Sequence, residues 1–255
     1  MTWPFENDTS GIVKRISNRS ISANRKRNIF IVLTIVLASA LLSAIVLYGF
    51  GVMQETQNRN QKTAQIMYHA ISEQQGQELY KQEEIAWVGE FFNAFSEQVN
   101  HSTVNFTYAN ADMLTSQSMP YSGDLPASEN EIVVQESFLD SLGYSNELGQ
   151  TIQIPFSDGT THDFKLTGIL DVKTGDIGRY TAIISKELVR QQYGDGGMID
   201  YYIGLKGAQN MSEEEATNYA NTLAQQLKIS DDNVIVRSTY FNLKDENHGS
   251  DMLFY

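Results

Sequence analysis

The sequence predicts an α+β protein: one long N-terminal apolar helix continuing into a helical stalk, then a mixed α/β domain of two small lobes. Three observations carry this prediction. Residues Ile29 to Met53 hold no charge, and Glu84 to Val99 repeats its apolar residues at helical spacing. Beyond Ser102, short alternating segments separated by turn formers give way to a strand, a helix and a strand.

The apolar stretch, IFIVLTIVLASALLSAIVLYGFGVM, follows directly on Arg25, Lys26 and Arg27. At roughly 1.5 Å per residue it forms a helix of about 37 Å, enough to cross a hydrocarbon layer of roughly 30 Å with some tilt. A secretory signal has only about 7–15 apolar residues before a small-residue cleavage site. Ala38-Ser39-Ala40 and Leu42-Ser43-Ala44 fit such a site, but the stretch is too long and starts too late. A retained transmembrane helix over residues 29–53 is therefore expected.

Charge sets its orientation. Residues 1–28 carry six basic side chains against Glu6 and Asp8, a net of +4, whereas residues 54–255 carry 12 basic against 29 acidic ones, a net of −17. Basic flanks stay on the cytoplasmic side. The expectation is a plasma-membrane protein with residues 1–28 cytoplasmic and residues 54–255 extracytoplasmic. In the basic segment, Ile12, Val13, Ile16 and Ala23 alternate with Lys14, Arg15 and Arg19, which reads either as a helix lying on membrane lipid or as a disordered tail. Neither makes a nucleic-acid binder, because the acidic outer part repels polyanions. The absence of cysteine excludes disulfides, thiolate metal sites, a cysteine nucleophile and a lipidated cysteine anchor. The outer 202 residues must fold on an ordinary hydrophobic core, and they are enough for one or two small lobes.

Residues 54–100 read as a helical stalk, rich in Gln and Glu, without proline, and broken near Gly76. Val88, Phe91, Phe92, Phe95 and Val99 share one helical face with Glu84, and an aromatic stripe of that kind packs a core. The domain proper, residues 101–255, opens on a strand over Ser102 to Tyr108. A loop over Thr115 to Asn130 follows, then a strand over Glu131 to Val134 and a short helix from Ser137 to Leu142 that Gly143 stops. Thr151 to Phe156 and Asp163 to Leu170 form two strands joined across Ser157-Asp158-Gly159-Thr160. Asp200 to Leu205 is a strand, and Ser212-x-x-Glu215 is a capping box for a helix that buries Ala216, Tyr219, Ala220, Leu223 and Leu227. Asn233 to Tyr240 is the returning strand.

Between Ser122 and Leu170 the residues carry more than periodicity. Gly123-Asp124-Leu125-Pro126, Asn130-Glu131-Ile132-Val133-Val134, Leu142-Gly143, Leu148-Gly149-Gln150-Thr151-Ile152 and Leu166-Thr167-Gly168-Ile169-Leu170 follow in order at close spacing. This set, behind a basic segment and a first membrane helix, resembles the extracytoplasmic core domain of MacB/FtsX-like ABC transporter permeases. The resemblance implies a subunit that pairs with a second copy or a relative and engages a separate cytoplasmic ATPase. It also implies coupling of ATP hydrolysis to motion outside the membrane, for export or handling of peptides, lipoproteins or other amphiphiles. Members of that family carry three further membrane helices after the domain, whereas this chain stops at Asp251-Met252-Leu253-Phe254-Tyr255, so a fragment or a truncated gene is expected.

Catalytic chemistry is not expected. His69, His101, His162 and His248 lie far apart in sequence, without His-Glu-x-x-His spacing. Asp231-Asp232-Asn233 lacks the spaced ligands and glycine of a calcium loop and sits where turn formers belong. Glu213, Glu214 and Glu215 suit the first turn of a helix. Gly194-Asp195-Gly196-Gly197 reads as a flexible loop, and no phosphate-binding Gly-x-x-x-x-Gly-Lys-[Ser/Thr] run occurs. No catalytic, cofactor or metal residue is assigned. The alternative from another class is a single-pass anchored sensor or substrate-binding protein; a surface-anchored hydrolase is weakest.

Overall fold

The computed structural model describes residues 9–172, 178–194 and 199–241, leaving aside the side chains of residues 21 and 53–61. The chain divides into two compact units, Met1–Gln57 and Asn58–Tyr255.

In the first unit α1 (Ser10–Ala23) is helical, with Ile12, Val13 and Ile16 exposed. The helix α2 (Arg25–Lys62) contains one segment, Arg25–Val52, long and apolar enough to cross a membrane, and none of it is buried within the protein. Its apolar side chains surround it on every side, as lipid-facing helices require. Thr34 and Ser43 donate their hydroxyls to the carbonyls of Phe30 and Ser39 one turn back, which satisfies them inside the helix.

The second unit is one mixed sheet with helices packed on it. Its elements are β1 (Ile66–Ile71), α3 (Glu73–Leu79), β2 (Ile85–Val99), β3 (Ser102–Ala109), α4 (Ala111–Ser116), β4 (Tyr121–Gly123), β5 (Glu131–Gln135), α5 (Glu136–Leu142), β6 (Thr151–Pro155), β7 (Thr161–Leu170), β8 (Arg179–Ile184), α6 (Lys186–Tyr193), β9 (Ile199–Leu205), α7 (Glu213–Leu227) and β10 (Val234–Val236). The strand order is β10-β1-β9-β2-β3-β8-β5-β7-β4, with β6 pairing the first half of β7. Two principal cores lie along this sheet. One gathers Tyr68, Tyr201 and Ile203 under α7, and the other gathers Phe106, Ile132, Phe138 and Leu166. Phe92 and Tyr108 pack against both, so the two lobes share a sheet and meet at its middle.

Most of the expected elements form. α5 ends on Gly143 at φ +80, with Tyr144 N–H bonded to the Leu139 carbonyl. Ser212 and Glu215 cap α7 reciprocally, and Ala216, Ala220 and Leu223 are buried beneath it while Tyr219 and Leu227 are half-buried. β9, α7 and β10 make the crossover unit, with β1 inserted antiparallel between the two strands.

The helical stalk over residues 54–100 does not form as expected. The helix ends at Lys62, and the rest of the segment is β1, α3 and the 15-residue strand β2. The proposed boundary at residue 100 falls inside a hairpin, whose Asn100 (φ +47) and His101 (φ +69) make a two-residue turn with both residues left-handed. Gly76 is not a break: it lets α3 lie directly on Tyr201, where an added Cβ would come within 2.0 Å of the ring. The loop over Thr115 to Asn130 contains the end of α4 and the short β4. The strand over Asn233 to Tyr240 is only Val234–Val236, and the chain turns helical at Ser238. Asp195, Gly196, Gly197, His248 and Asp251 to Tyr255 lie outside the described residues.

Candidate functional site: a buried ion network and the motif turns

Where the two cores meet, the sheet buries a carboxylate. Glu90 follows Val88 on the same side of β2, and an inward strand position carries it into the interior, 4% exposed. Three donors satisfy it, and one of them, Lys186, neutralises its charge. Tyr80 Oη donates to Oε1 at 2.9 Å, Tyr108 Oη to Oε2 at 2.6 Å, and Lys186 Nζ to Oε2 at 2.9 Å. Burial and the adjacent Glu90 carboxylate push both phenols well above their ordinary range, so they remain donors. Asn110, the N-cap of α4, fixes the backbone here: its Oδ1 accepts from Glu90 N–H at 3.0 Å and its Nδ2 donates to the Val88 carbonyl at 2.8 Å.

Lys186 carries the network outward. Its ammonium also lies 3.0 Å from Glu73 Oε1 and 5.8 Å from the centre of the Tyr108 ring. Arg190, one turn along α6, donates to both oxygens of Glu73 at 2.5 and 2.7 Å. Ser185 and Ser72 cap α6 and α3, which sets the two helices so that these side chains converge. An open groove of about 750 Å³ lies over the outer part of the network, lined by Ser72, Glu73, Gln74, Glu187, Arg190 and Gln191. Every oxygen of Glu90 and Glu73 is taken by a donor, which makes the network a clamp between α3, β2, β3 and α6 rather than a pair poised for proton transfer.

The Arg190 guanidinium, then Lys186, hold the Glu73 carboxyl below the ordinary 4.5. A lowered carboxyl pKa adds stability that is complete above the unfolded value and lost as pH falls through the folded one. In Arg190→Gln the loss of stability on acidification below about pH 4.5 should therefore be shallower than in the parent, as read by urea midpoints across pH 3–6.

Among the described residues the histidines do not converge. His69 Nδ1 lies 2.7 Å from Asp200 Oδ1, His101 sits in the β2–β3 turn, and His162 stacks on Phe156 at 4.2 Å. Asp231–Asn233 is a 3-10 turn leading into β10. Among the described residues no group of three or more His, Cys, Asp or Glu is placed to hold a metal ion.

The ordered motif residues form a second constellation, built of backbone. Gly123 and Gly168 are register partners of β4 and β7, and a Cβ on either would meet backbone: 2.3 Å from the Thr167 carbonyl oxygen for Gly123, 2.6 Å from that of Ser122 for Gly168. Glu131 Oε2 accepts the Ala127 and Ser128 amides at 3.0 and 3.2 Å, and those bonds hold its carboxyl below the ordinary range. Gly149, at φ +87, donates its N–H to the Leu166 carbonyl at 2.7 Å. The glycines of the motif close turns or admit a close backbone crossing, and its Ile132, Val134 and Leu166 fill the core beside them.

The MacB-like periplasmic core domain, as a family model, matches residues 29–236 of this chain. The chain belongs to that family. No curated protein matches it. Among solved structures, this MacB-like chain is similar to the extracellular domain of the noncanonic ABC-type transporter YknZ from Gram-positive bacteria. Identity there is 9%, over 69% of this chain and 100% of that one, with a TM-score of 0.51. It also matches the periplasmic region of MacB from Actinobacillus actinomycetemcomitans at 13% identity, over 71% of this chain and 92% of that one, with a TM-score of 0.48. At such identities the YknZ likeness shows the fold alone. The MacB/FtsX-like family read from Gly123 through Leu170 is thus borne out.

Sequence reasoning missed Glu90, Lys186, Glu73 and Arg190. One signal was available: Val88-x-Glu90-x-Phe92 places a charge at an apolar strand position, and such a charge needs a buried partner.

Proposed function

We propose that this chain is a non-catalytic permease subunit of an ABC transporter of the MacB/FtsX-like kind. Residues 29–53 cross the plasma membrane in contact with lipid, residues 1–28 are cytoplasmic, and the α/β domain stands outside. One observation carries the reading: a single family match runs from Ile29, the first residue of the apolar stretch, through the returning strand β10. The lopsided charge supports the orientation. Two subunits, like or related, would engage a separate cytoplasmic ATPase, and its cycle would move the outer domains to export or handle amphiphiles. The subunit itself uses no nucleotide, metal or organic cofactor.

The ion network suits such a part. A domain that transmits movement must carry load between its lobes, and the Glu73–Lys186–Glu90 clamp ties helices flanking both cores. To test the assignment, the tagged chain is purified from its native membrane and its vanadate-sensitive ATP hydrolysis measured. The expected result is activity from a co-purifying protein bearing a Walker lysine, abolished when that lysine is replaced. Preparations that never hydrolyse ATP would sink it.

A further inference from the structure

On the sheet face opposite the ion network lies a small groove of about 220 Å³. Asn93, Asn105, Thr107 and Thr181, from β2, β3 and β8, form its floor, and Phe91, Leu114 and Met119 stand around it. Along the β2–β3 ladder two neighbouring cross-strand pairs on this face are closed by side-chain bonds. Gln98 Nε2 donates to Thr103 Oγ1 at 2.7 Å, and Ser96 Oγ to Asn105 Oδ1 at 2.8 Å. The third pair, Asn93 opposite Thr107, is open. Thr107 is 6% exposed, and its Oγ1 has no hydrogen-bond partner. A register shift between Asn93 and Phe95 sets this pair apart from the other two, and bulges of that kind re-aim side chains beside binding sites.

The floor is neutral. Asn and Thr side chains both donate and accept, so a ligand carrying hydroxyls satisfies them, whereas an ion finds no counter-charge among the lining residues. Apart from the neutral Gln117, the walls are apolar. A surface that is polar on one side and apolar on the other matches a pyranose ring, with hydroxyls at its rim and C–H groups on its faces. The space equals about seven waters at their share of liquid volume, which suits one ring and is too small for a lipid chain.

We infer that this groove binds a neutral sugar ring, with Asn93 and Thr107 bonding its hydroxyls and Phe91 packing on its C–H face. The inference stands apart from the transporter reading, since it requires no ATPase. The test uses the full chain in nanodiscs of sugar-free phospholipid, with saturation-transfer NMR on N-acetylglucosamine and on the neutral peptide probe N-acetylalanine methylamide. Saturation should pass to the sugar with millimolar affinity, weakened at least fivefold in Thr107→Val and in Asn93→Ala. Asn93 is exposed, so its variant reports even where the threonine change impairs folding. Nanodiscs containing a monoglucosyl diacylglycerol distinguish sources: loss of the soluble-sugar signal identifies a lipid headgroup, and an unchanged signal a free glycan. Absence of saturation transfer in the parent, transfer indifferent to Asn93→Ala, or binding of the peptide probe in place of the sugar would overturn the assignment.

Discussion

Lys186→Met should destabilise the α/β domain by about 3 kcal/mol, because it leaves the Glu90 carboxylate buried with only phenol donors. The figure sits at the low end for a broken buried pair, since the lysine side chain is 19% exposed and Glu73 loses only one of two cations. The double variant Lys186→Met, Glu90→Gln should recover most of that loss, the glutamine amide remaining hydrogen-bonded to the tyrosines. Urea unfolding followed by tyrosine and tryptophan fluorescence reads the parent, the two single variants Lys186→Met and Glu90→Gln, and the double variant, and the cycle of four isolates the coupling. Additive single losses would mean that the pair contributes nothing beyond its separate parts.

The second large effect is expected at Gly123→Ala. That residue has φ +84, and the new methyl would sit 2.3 Å from the Thr167 carbonyl oxygen and 2.9 Å from Gly168 Cα. Backbone cannot rotate away as a side chain can. The left-handed conformation costs about 1–2 kcal/mol and the overpacking about 1–3 more, so a loss of roughly 2–5 kcal/mol is expected. Gly143→Ala is the control, because it shares a positive φ but meets nothing within 4 Å; it should lose only the conformational part. Thermal midpoints of the two variants that coincide would show that the crossing of β4 and β7 is not tight.

Where one periodicity dominated, the fold was legible. β6 and β7 alternate between turn formers, β5 is a short apolar run bounded by them, and the capping box and apolar face of α7 name its start and its buried side. β2 misleads because the sheet is covered on both faces near Phe91 and Phe92, and its apolar run then satisfies a helical spacing as readily as a strand. The bulge after Asn93 compounds this by returning Phe95 to the side of Phe106, on which it stacks at 4.6 Å. The sequence reading assigns no element between Leu170 and Asp200, and so it misses β8 and α6, which carry the cationic half of the network. Lys186 and Glu90 lie 96 residues apart, and the pairing of β2 with β3 and of β3 with β8 brings their elements together. No local pattern reports such a contact. The glycine-bearing motif, by contrast, was readable because its demands are local: tight turns and one close crossing.

The central claim is that a folded α/β domain stands outside the cell on a helix whose basic end stays within. Because the chain has no cysteine, single thiols can be placed at will. Asn221→Cys on the exposed side of α7 and Lys14→Cys on α1 are treated in intact cells with a membrane-impermeant maleimide. The account predicts labelling of the α7 thiol in intact cells and of the α1 thiol only after lysis; a shielded α7 thiol or an accessible α1 thiol would contradict it.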